Sequence, residues 1–282
     1  MVEQDRIFEQ RIGVRVSKIL KLNTIHHGDS LELLKKIESG SIDMVFADPP
    51  YNLSGKSLNL KGNKTGGDWT KVNEKWDVYS TDDYQLFSNQ WVSECVRGLK
   101  DGGAIYICCS QHNIEAVLHA IRVNDCKVNN IVVWEKSNPM PNTTKRLLTH
   151  SVEFIVWAVK GKGWTFNASE LRDVNPDRQK DGSPRMMRDV WTFPVVQGIE
   201  RLRGEDGRAL HPTQKPLELV RRTIIASTNK GEVVLDPFMG SGTTAVAAKI
   251  EGRNWIGIER DDVYIAAAKE RINLLKTKKV GE

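Results

Sequence analysis

The sequence predicts an α/β fold with a mostly parallel sheet. Strand-like apolar runs alternate with helical patterns along the chain, and two of these runs, at 41–51 and 231–244, end in unusual turns. Such alternation is typical of layered folds in which helices cover a parallel sheet. Ligands of these folds bind at the carboxyl ends of the strands, near a switch in strand order. We therefore expect both turns on the same rim of the sheet.

The individual elements follow from short apolar runs and from helical periodicity. Besides the two runs above, strands are predicted at 23–27, 104–109, 130–134, 153–159 and 255–259. Helices are predicted at 30–37, 82–99, 111–123, 216–227, 243–251 and 262–275. A chain of 282 residues accommodates one main core with a smaller appended region.

Composition limits the class of protein. Hydrophobic residues make up 39% of the chain, yet no apolar run approaches the roughly 18 residues that a membrane span needs. The first twenty residues lack the apolar stretch of a secretory signal, so we expect a soluble, cytoplasmic protein. The net charge of +5 is compatible with a polyanionic partner but is too small to demonstrate one.

The four cysteines predict neither a metal site nor a redox site. Cys95, Cys108, Cys109 and Cys126 form no C-x-x-C pair and have no histidines at metal-ligand spacing. Cys108 and Cys109 fall inside an apolar strand, where free thiols pack as small hydrophobic groups. We expect reduced core residues and no bound metal.

Two segments, 52–80 and 160–210, interrupt the alternation. Both are rich in Gly, Asn, Asp and basic residues and have little periodicity, so they are predicted to be loops or an inserted subdomain. Residues 52–75 hold five lysines against Asp68 and Glu74. Long loops are uncommon in compact domains unless they are functional or disordered. We expect a flexible basic loop, with an ordinary solvated loop as the alternative.

The first unusual turn is Asp48-Pro49-Pro50-Tyr51. Two prolines fix φ and remove two backbone donors, which leaves a stiff turn that presents a carboxylate and free carbonyls. Two acceptors in fixed geometry suit a substrate amino group, and the ring of Tyr51 offers a face on which a base can stack. A strand-terminating turn with a core tyrosine is the alternative interpretation.

The second unusual turn runs from Asp236 to Thr244 and has glycines where the backbone must approach a ligand closely. It lacks both the G-x-G-x-x-G spacing of dinucleotide sites and the lysine of a phosphate-binding loop. Asp236 suits a cationic amino group, and Glu259, at the end of the next strand, suits ribose hydroxyls. Together they indicate a nucleoside that carries an amino acid.

Six blocks of sequence carry a family resemblance. They are HGDSLELL at 27–34, FADPPY at 46–51, NPMPN at 138–142, HPTQKP at 211–216, LDPFMGSGTT at 235–244 and WIGIER at 255–260. The chain resembles the amino-methyltransferases of DNA. The order of the motifs, D-P-P-Y before F-x-G-x-G, is similar to that of their β group. The nearest relatives by pattern are the GANTC- and GATC-modifying enzymes of restriction-modification systems.

This resemblance implies a Rossmann-like S-adenosylmethionine-dependent methyltransferase fold: a mostly parallel seven-stranded sheet, helices on both faces, a circularly permuted motif order and a small inserted recognition region. It implies one methyltransferase domain over 1–282 and a target-recognition segment at 160–210. The basic loop at 52–75 would close over the substrate.

The resemblance also implies which residues bind the cofactor, S-adenosylmethionine. Asp29 would face the adenine of the cofactor, although a helix N-cap is an equally good interpretation of this residue. Glu259 would bind the ribose, and Thr213 and Lys215 would line the methionine end. The residues that would cradle the methionine part are Asp236, Phe238, Gly240, Ser241, Gly242 and Thr243.

On the substrate side, Asp48 and the carbonyl of Pro49 would hold the amino group of a flipped base, and Tyr51 would stack on it. Pro50 completes this catalytic turn. Residues near the same rim, expected to contact the substrate, are Trp134, Lys136, Asn138 and Asn142. Trp134 has a second interpretation, as a core aromatic.

The activity implied by the resemblance is methyl transfer to adenine N6 in DNA. Aspartate rather than serine before Pro-Pro-Tyr favours adenine over cytosine N4, which remains the alternative, and a non-catalytic nucleotide-binding regulator is the more distant one. Double-stranded DNA is the expected partner. Because the chain stops soon after Leu275, without the extension of GANTC-type relatives, a preference for single-stranded DNA stays open, as does a homodimer.

Overall fold

Helices and strands alternate along the chain in the computed structural model, which describes residues 20–52, 59–60, 69–70, 77–141, 145–204 and 206–277. The strands are β1 (Thr24–His27), β2 (Ile42–Ala47), β3 (Asn59–Leu60), β4 (Trp69–Thr70), β5 (Leu99–Cys109), β6 (Lys127–Lys136), β7 (Val152–Val159), β8 (Val190–Phe193), β9 (Val233–Asp236) and β10 (Asn254–Glu259). The helices are α1 (Ser30–Leu34), α2 (Thr81–Gly98), α3 (Ile114–Val123), α4 (Ala168–Asp173), α5 (Leu217–Ser227), α6 (Thr243–Ile250) and α7 (Asp262–Thr277).

One large sheet contains eight of the described strands, in the order β1-β10-β9-β2-β5-β7-β6-β8. Only β7 among them runs antiparallel to its two neighbours, β5 and β6. The prediction of an α/β fold with a mostly parallel sheet is confirmed. The sheet has one strand more than the seven that the resemblance implied, because β8 pairs in parallel with β6 at the edge.

The two unusual turns lie side by side. Strands β2 and β9 are parallel neighbours, with Val45 opposite Leu235, so the turn at Asp48 and the turn that starts at Asp236 leave the same rim of the sheet. This arrangement follows from the permuted order of the strands, since β9 is inserted between β2 and β10. The expectation that both turns meet at one rim is confirmed.

Helices cover both faces of the sheet. Successive side chains of a strand point to opposite faces, and in β2 Met44 and Phe46 join one core while Val45 and Ala47 join the other. The first core contains buried residues of α5, α6 and α7, and the second contains buried residues of α1, α2 and α3. Full burial of a large apolar side chain stabilises the fold by about 1.5–3 kcal/mol, so the two cores hold the rim in place.

The two irregular segments contain more structure than predicted. Segment 160–210 includes α4 and β8; β8 was missed because only two of its four residues, Trp191 and Phe193, are buried, which is too short a pattern to stand out. Within 52–80 the strands β3 and β4 pair antiparallel. Residues 53–58, 61–68 and 71–76, which carry the lysines of the expected basic loop, lie outside the described residues.

All four cysteines are free thiols buried in the core, as predicted. Burial raises the pKa of Cys95, because the apolar surroundings disfavour a thiolate. Within the described ranges, no helix combines the length and apolar character needed to cross a membrane.

Candidate active site

A cavity of about 440 Å³ opens at the rim where the two turns meet. Its volume falls in the range of about 300–1,000 Å³ that is usual for cofactor sites. The sequence-predicted residues that line it are Asp29, Asp48, Pro49, Pro50, Tyr51, Thr213, Lys215, Asp236, Phe238, Gly240, Ser241, Thr243 and Glu259. The structure therefore brings the predicted substrate turn and the predicted cofactor loop into one cavity.

The Asp-Pro-Pro-Tyr turn is held from helix α2 and from the segment before it. The hydroxyl of Tyr84 donates to the carbonyl of Pro50 at 2.6 Å. The amide of Asn52 donates to Asp77 at 2.6 Å, and the side-chain oxygen of Asn52 accepts from the amide of Tyr79 at 2.8 Å. The Pro50 carbonyl thus has a hydrogen-bond partner, and both prolines line the cavity. The turn is rigid for reasons beyond its two prolines.

Asp48 is paired with Lys215. The ammonium nitrogen of Lys215 lies 2.7 Å from Oδ1 and 2.8 Å from Oδ2 of Asp48. Only the contact to Oδ2 has hydrogen-bond geometry, and no other donor among the described residues satisfies the buried Oδ1. Burial raises the pKa of Asp48, and Lys215 opposes this shift. Burial alone would lower the pKa of Lys215, but Asp48 and Glu153 outweigh it, so that pKa lies above its usual range.

Glu153, at the start of β7, is a site residue that the sequence did not reveal. Its carboxylate accepts from the hydroxyl of Tyr51 at 3.1 Å and lies 2.7 Å from Lys136 and 3.7 Å from Lys215. Burial opposes its ionisation, but the two lysines outweigh burial and lower its pKa. Because β7 runs antiparallel, its first residues reach the rim where the other strands end. An acidic residue at the start of an apolar strand was the only available signal.

Asp236 is the second buried carboxylate that faces the cavity. Its Oδ1 accepts from the amide of Phe238 at 2.9 Å, and its side chain is only 3% exposed. Burial raises its pKa to about 7, with hydrogen bonds from Thr244 and Phe238 acting in the opposite direction. In the described part of the chain no lysine or arginine forms an ion pair with it. A cationic ligand group would compensate this charge.

The two glycines of the second turn have different structural roles. Gly240 has φ +48°, and a Cβ there would come within 2.9 Å of the His211 ring. Gly242 has φ +79°, and a Cβ there would come within 2.8 Å of Ala268 in α7. Since Gly242 does not line the cavity, we reassign it from cofactor contact to the packing of α6 against α7.

His211 lines the cavity next to Gly240 and was not predicted from sequence. Its ring packs against Tyr264, with the centroids 4.5 Å apart. Burial, together with the charges of Lys215 and Arg201, lowers its pKa to about 4. The imidazole is therefore neutral at physiological pH and presents no charge to a ligand.

Glu259 reaches the glycine loop from the end of β10. Its Oε2 accepts from the amide of Gly240 at 2.8 Å, and its Oε1 accepts from the amides of Arg260 and Asp261 at 2.8 and 2.9 Å. A carboxylate has about four acceptor positions. Three are used, which leaves room for about one hydroxyl of a ligand without rearrangement.

Asp29 has one of the two roles that its sequence left open, the helix N-cap, and its contact with the cofactor adenine stays a prediction. It is the N-cap of α1 and accepts from the amide of Leu31 at 2.9 Å, and it also lines the cavity. The neighbouring Ser30 donates from its hydroxyl to the carbonyl of Pro237 at 2.5 Å. This bond ties the start of α1 to the glycine loop.

The HPTQKP loop, at 211–216, contacts both the cofactor loop and the substrate turn. Thr213 lines the cavity, and its amide donates to His211 at 3.3 Å. The hydroxyl of Thr243 is 3.5 Å from the carbonyl of Lys215 and accepts from Arg271 at 2.8 Å. The main chain of Lys215 thus meets the cofactor loop, and its side chain points to Asp48. That Lys215 lines the methionine end of the cofactor stays a prediction.

Of the four predicted substrate contacts on and after β6, the three that the structure describes do not line the cavity. Trp134 is buried in the core, where its indole N–H donates to Phe193 at 3.0 Å; we therefore assign it to packing. Lys136 reaches the site only through Glu153. The side-chain oxygen of Asn138 accepts from the amide of Val195 at 2.6 Å, and its side-chain nitrogen donates to the carbonyl of Val195 at 3.4 Å. Asn142 lies outside the described residues.

An aromatic wall, formed by Tyr79, Phe87 and Phe238, closes one side of the cavity. Tyr79 stacks on Phe87 with centroids 5.2 Å apart, and Phe87 lies 6.1 Å from Phe238. The edge-to-face contact between Trp91 and Phe238, at 5.3 Å, fixes the wall from behind. Of these residues only Phe238 was predicted. The wall offers an aromatic, apolar surface for a heterocycle.

Comparison with known proteins identifies relatives of the whole fold. Residues 42–270 match the family model described as DNA methylase. The Type II methyltransferase M.HinfI of Haemophilus influenzae is 38% identical over 90% of this chain and 69% of its own length. The Type II methyltransferase M2.MboI of Moraxella bovis is 37% identical over 88% of this chain and 86% of its own length.

Solved structures show the same architecture. The complex of M1.HpyAVI with SAM superposes with a TM-score of 0.62 at 28% identity, covering 89% of this chain and 98% of that one. The cytosine-N4-specific PvuII DNA methyltransferase superposes with a TM-score of 0.67, covering 92% of this chain and 93% of that one. At 19% identity, the second likeness concerns the fold alone.

Proposed function

The chain belongs to the DNA methylase family that modifies exocyclic amino nitrogens, adenine N6 or cytosine N4, and from that premise we propose that its own target is adenine N6 in DNA. The observation that supports methyl transfer to an amino group is the shared cavity of Asp48 and Asp236, and the choice of adenine rests on the aspartate that precedes Pro-Pro-Tyr. One carboxylate there is already paired with a lysine and the other is not. The cavity therefore offers one place for a neutral amine and one for a cation.

The residues around Asp236 fit S-adenosylmethionine, the methyl donor of this family. When bound, this cofactor supplies a methyl group activated by its sulfonium. Asp236 would pair with its ammonium group, and Glu259 would accept from one ribose hydroxyl with its remaining acceptor position. Thr213, Ser241 and Thr243 line the same part of the cavity, and the aromatic wall would pack on the adenine of the cofactor.

The residues around Asp48 fit an amino group of a base. Oδ1 of Asp48 is buried and has no hydrogen-bond partner among the described residues; it would accept one N–H of the amine, and the carbonyl of Pro49 would accept the second. Two such acceptors align the amine and localise the lone pair of its nitrogen, so that positioning supplies much of the rate enhancement. The ring of Tyr51 would stack on the base. A base in a duplex reaches this cavity only after extrusion from the stack, at a cost of a few kcal/mol.

Adenine is preferred over cytosine because an aspartate, rather than a serine, precedes Pro-Pro-Tyr. The cavity itself would serve either amino group. The decisive experiment is to incubate the protein with labelled S-adenosylmethionine and duplexes that contain GANTC or GATC, then to identify the modified nucleoside by mass spectrometry. We expect N6-methyladenine. N4-methylcytosine would overturn the choice of base, and an Asp48→Ala variant prepared in parallel excludes a contaminating enzyme.

We propose that segment 160–210 recognises the target sequence in DNA. Arg178, Arg185 and Arg188 are exposed there, and a short antiparallel bridge between Arg178 and Pro184 shapes their loop. Exposed arginines suit phosphate contacts, which position a protein on DNA. Binding to matched single-stranded and double-stranded oligonucleotides at several salt concentrations would show which form is preferred. Sedimentation would test the expected homodimer.

A further inference from the structure

A chain of four buried charges runs behind the substrate turn. Lys215 contacts Asp48 at 2.7 Å and Glu153 at 3.7 Å, and Lys136 contacts the other oxygen of Glu153 at 2.7 Å. The side chains are 6–18% exposed. They come from four separate parts of the fold: the turn after β2, the loop before α5, the start of β7 and the end of β6.

Stability alone is a weak explanation for this chain of charges. Removing charged groups from water is costly, and apolar side chains of similar volume often stabilise a core as well or better. The charges are placed where the substrate turn needs support. Lys215 contacts both carboxylate oxygens of Asp48, and Glu153 accepts from the hydroxyl of Tyr51 at 3.1 Å. The ammonium group of Lys215 thus holds the Asp48 carboxylate directly and the Tyr51 hydroxyl through Glu153.

We propose that Lys215 and Glu153 are positioning residues for methyl transfer: they fix the Asp48 carboxylate and the Tyr51 ring in one arrangement relative to each other. The assignment rests on the proposed function, since it concerns the same amine site. Lys215 also extends this arrangement to the cofactor loop, because its main-chain carbonyl lies 3.5 Å from the hydroxyl of Thr243.

Lys215 and Glu153 shift the pKa of Asp48 in opposite directions. Burial raises the pKa of Asp48 most; Lys215 lowers it, and Glu153 raises it. Only ionised Asp48 offers a fully charged acceptor to the N–H of the amine, so loss of Lys215 should move the acidic limb of the rate profile to higher pH. Loss of the Glu153 charge should move it to lower pH. The titratable and charged groups that face Asp48 are Tyr51, Cys108, Glu153, Lys215 and Asp236.

The test compares Lys215→Met and Glu153→Gln with wild type in single-turnover methyl transfer across a range of pH. Lys100→Met is the matched control, since Lys100 pairs with Asp43 at 2.6 Å near the opposite end of the strands. We expect Lys215→Met to slow transfer about hundredfold, as a small misplacement of a reacting group can do, while cofactor affinity is retained. The acidic limbs of the two site variants should move in opposite directions, and that of Lys100→Met should not move.

Several results would overturn the assignment. A Lys215→Met enzyme with the wild-type rate and profile would do so, and so would acidic limbs that move the same way in both variants, which a general loss of structure would produce. If Lys215→Met does not fold, the Glu153→Gln variant alone tests the assignment: its acidic limb should move to lower pH, and a limb that stays in place or moves to higher pH would refute it. Transfer by wild type to a base other than adenine would refute only the choice of base, whereas a wild type without any methyl transfer would refute the proposed function and this assignment together.

Discussion

Asp48 and Asp236 leave neighbouring parallel strands at the same rim and face one cavity, but only Asp48 has a lysine partner. Their electrostatic states differ accordingly: Asp48 belongs to a compensated ion pair, and Asp236 is a buried acid with a pKa near 7. A compensated carboxylate suits a neutral amine, and an uncompensated one suits an ammonium group. On the proposed function, this difference would assign the amine of the base to Asp48 and the ammonium group of the cofactor to Asp236.

Cofactor binding is predicted to depend on pH through Asp236. Because its pKa is raised to about 7 in the free protein, the folded state retains a proton that the unfolded state releases, so this group's contribution to stability falls as the pH rises toward 7. A bound ammonium group favours the ionised form. Affinity for S-adenosylmethionine should therefore rise between about pH 5.5 and about pH 7, below the range in which an α-amino group loses its proton.

Titration calorimetry in buffers of different ionisation heat would measure this linkage. Proton release on binding should be seen below pH 7 and should vanish in an Asp236→Asn variant. The same pH dependence in that variant would assign the linkage to another group and refute the role of Asp236.

Gly242→Ala is predicted to destabilise the fold more than a comparable change elsewhere. A non-glycine residue with positive φ costs about 1–2 kcal/mol, and the Cβ would also collide with Ala268, which adds about 1–3 kcal/mol of overpacking. Gly231 is the matched control, since it has φ +85° and open space around its Cβ position. Thermal unfolding should show a larger loss for Gly242→Ala. Equal losses of stability in Gly242→Ala and Gly231→Ala would mean that α7 moves to accommodate the added Cβ at no further cost.

Asp29 allows its two roles to be separated. Asp29→Ala removes the cap of α1 and should cost about 0.5–2 kcal/mol, whereas Asn caps about as well as Asp. Asp29→Asn should therefore keep the wild-type stability in chemical denaturation. We expect both variants to bind the cofactor more weakly, because both lose the carboxylate that faces the cavity. Unchanged affinity in Asp29→Asn would leave only the capping role.

Much of the fold was predictable because its strands are apolar and end in distinctive turns. Asp48 and Asp236 were found in this way, and their meeting at one rim followed from parallel strand geometry. Glu153 was missed because it lies inside a strand, and its importance depends on β7 running antiparallel. The contact between the side chain of Lys215 and Asp48 was not predicted, because its direction depends on the path of the HPTQKP loop. Local sequence contains neither fact.

Trp134 shows a different limit. A tryptophan near the end of a strand at the rim is compatible with base stacking and with core packing, and only the tertiary arrangement decides. Here β8 supplies the carbonyl of Phe193 as partner for the indole N–H. Since β8 itself was not predicted, this partner was not available to the sequence argument.

The central claim is that Asp236 and Asp48 serve two different ligands in one cavity, and paired variants test it most directly. Cofactor affinity and single-turnover methyl transfer would be measured for Asp48→Asn and Asp236→Asn, with Glu115→Gln on the exposed side of α3 as control. Asp48→Asn should bind the cofactor with wild-type affinity and lose methyl transfer. Asp236→Asn should bind the cofactor at least about tenfold more weakly, as expected for loss of a charged hydrogen bond. Wild-type transfer by Asp48→Asn, or equal loss of cofactor affinity in both variants, would contradict the account.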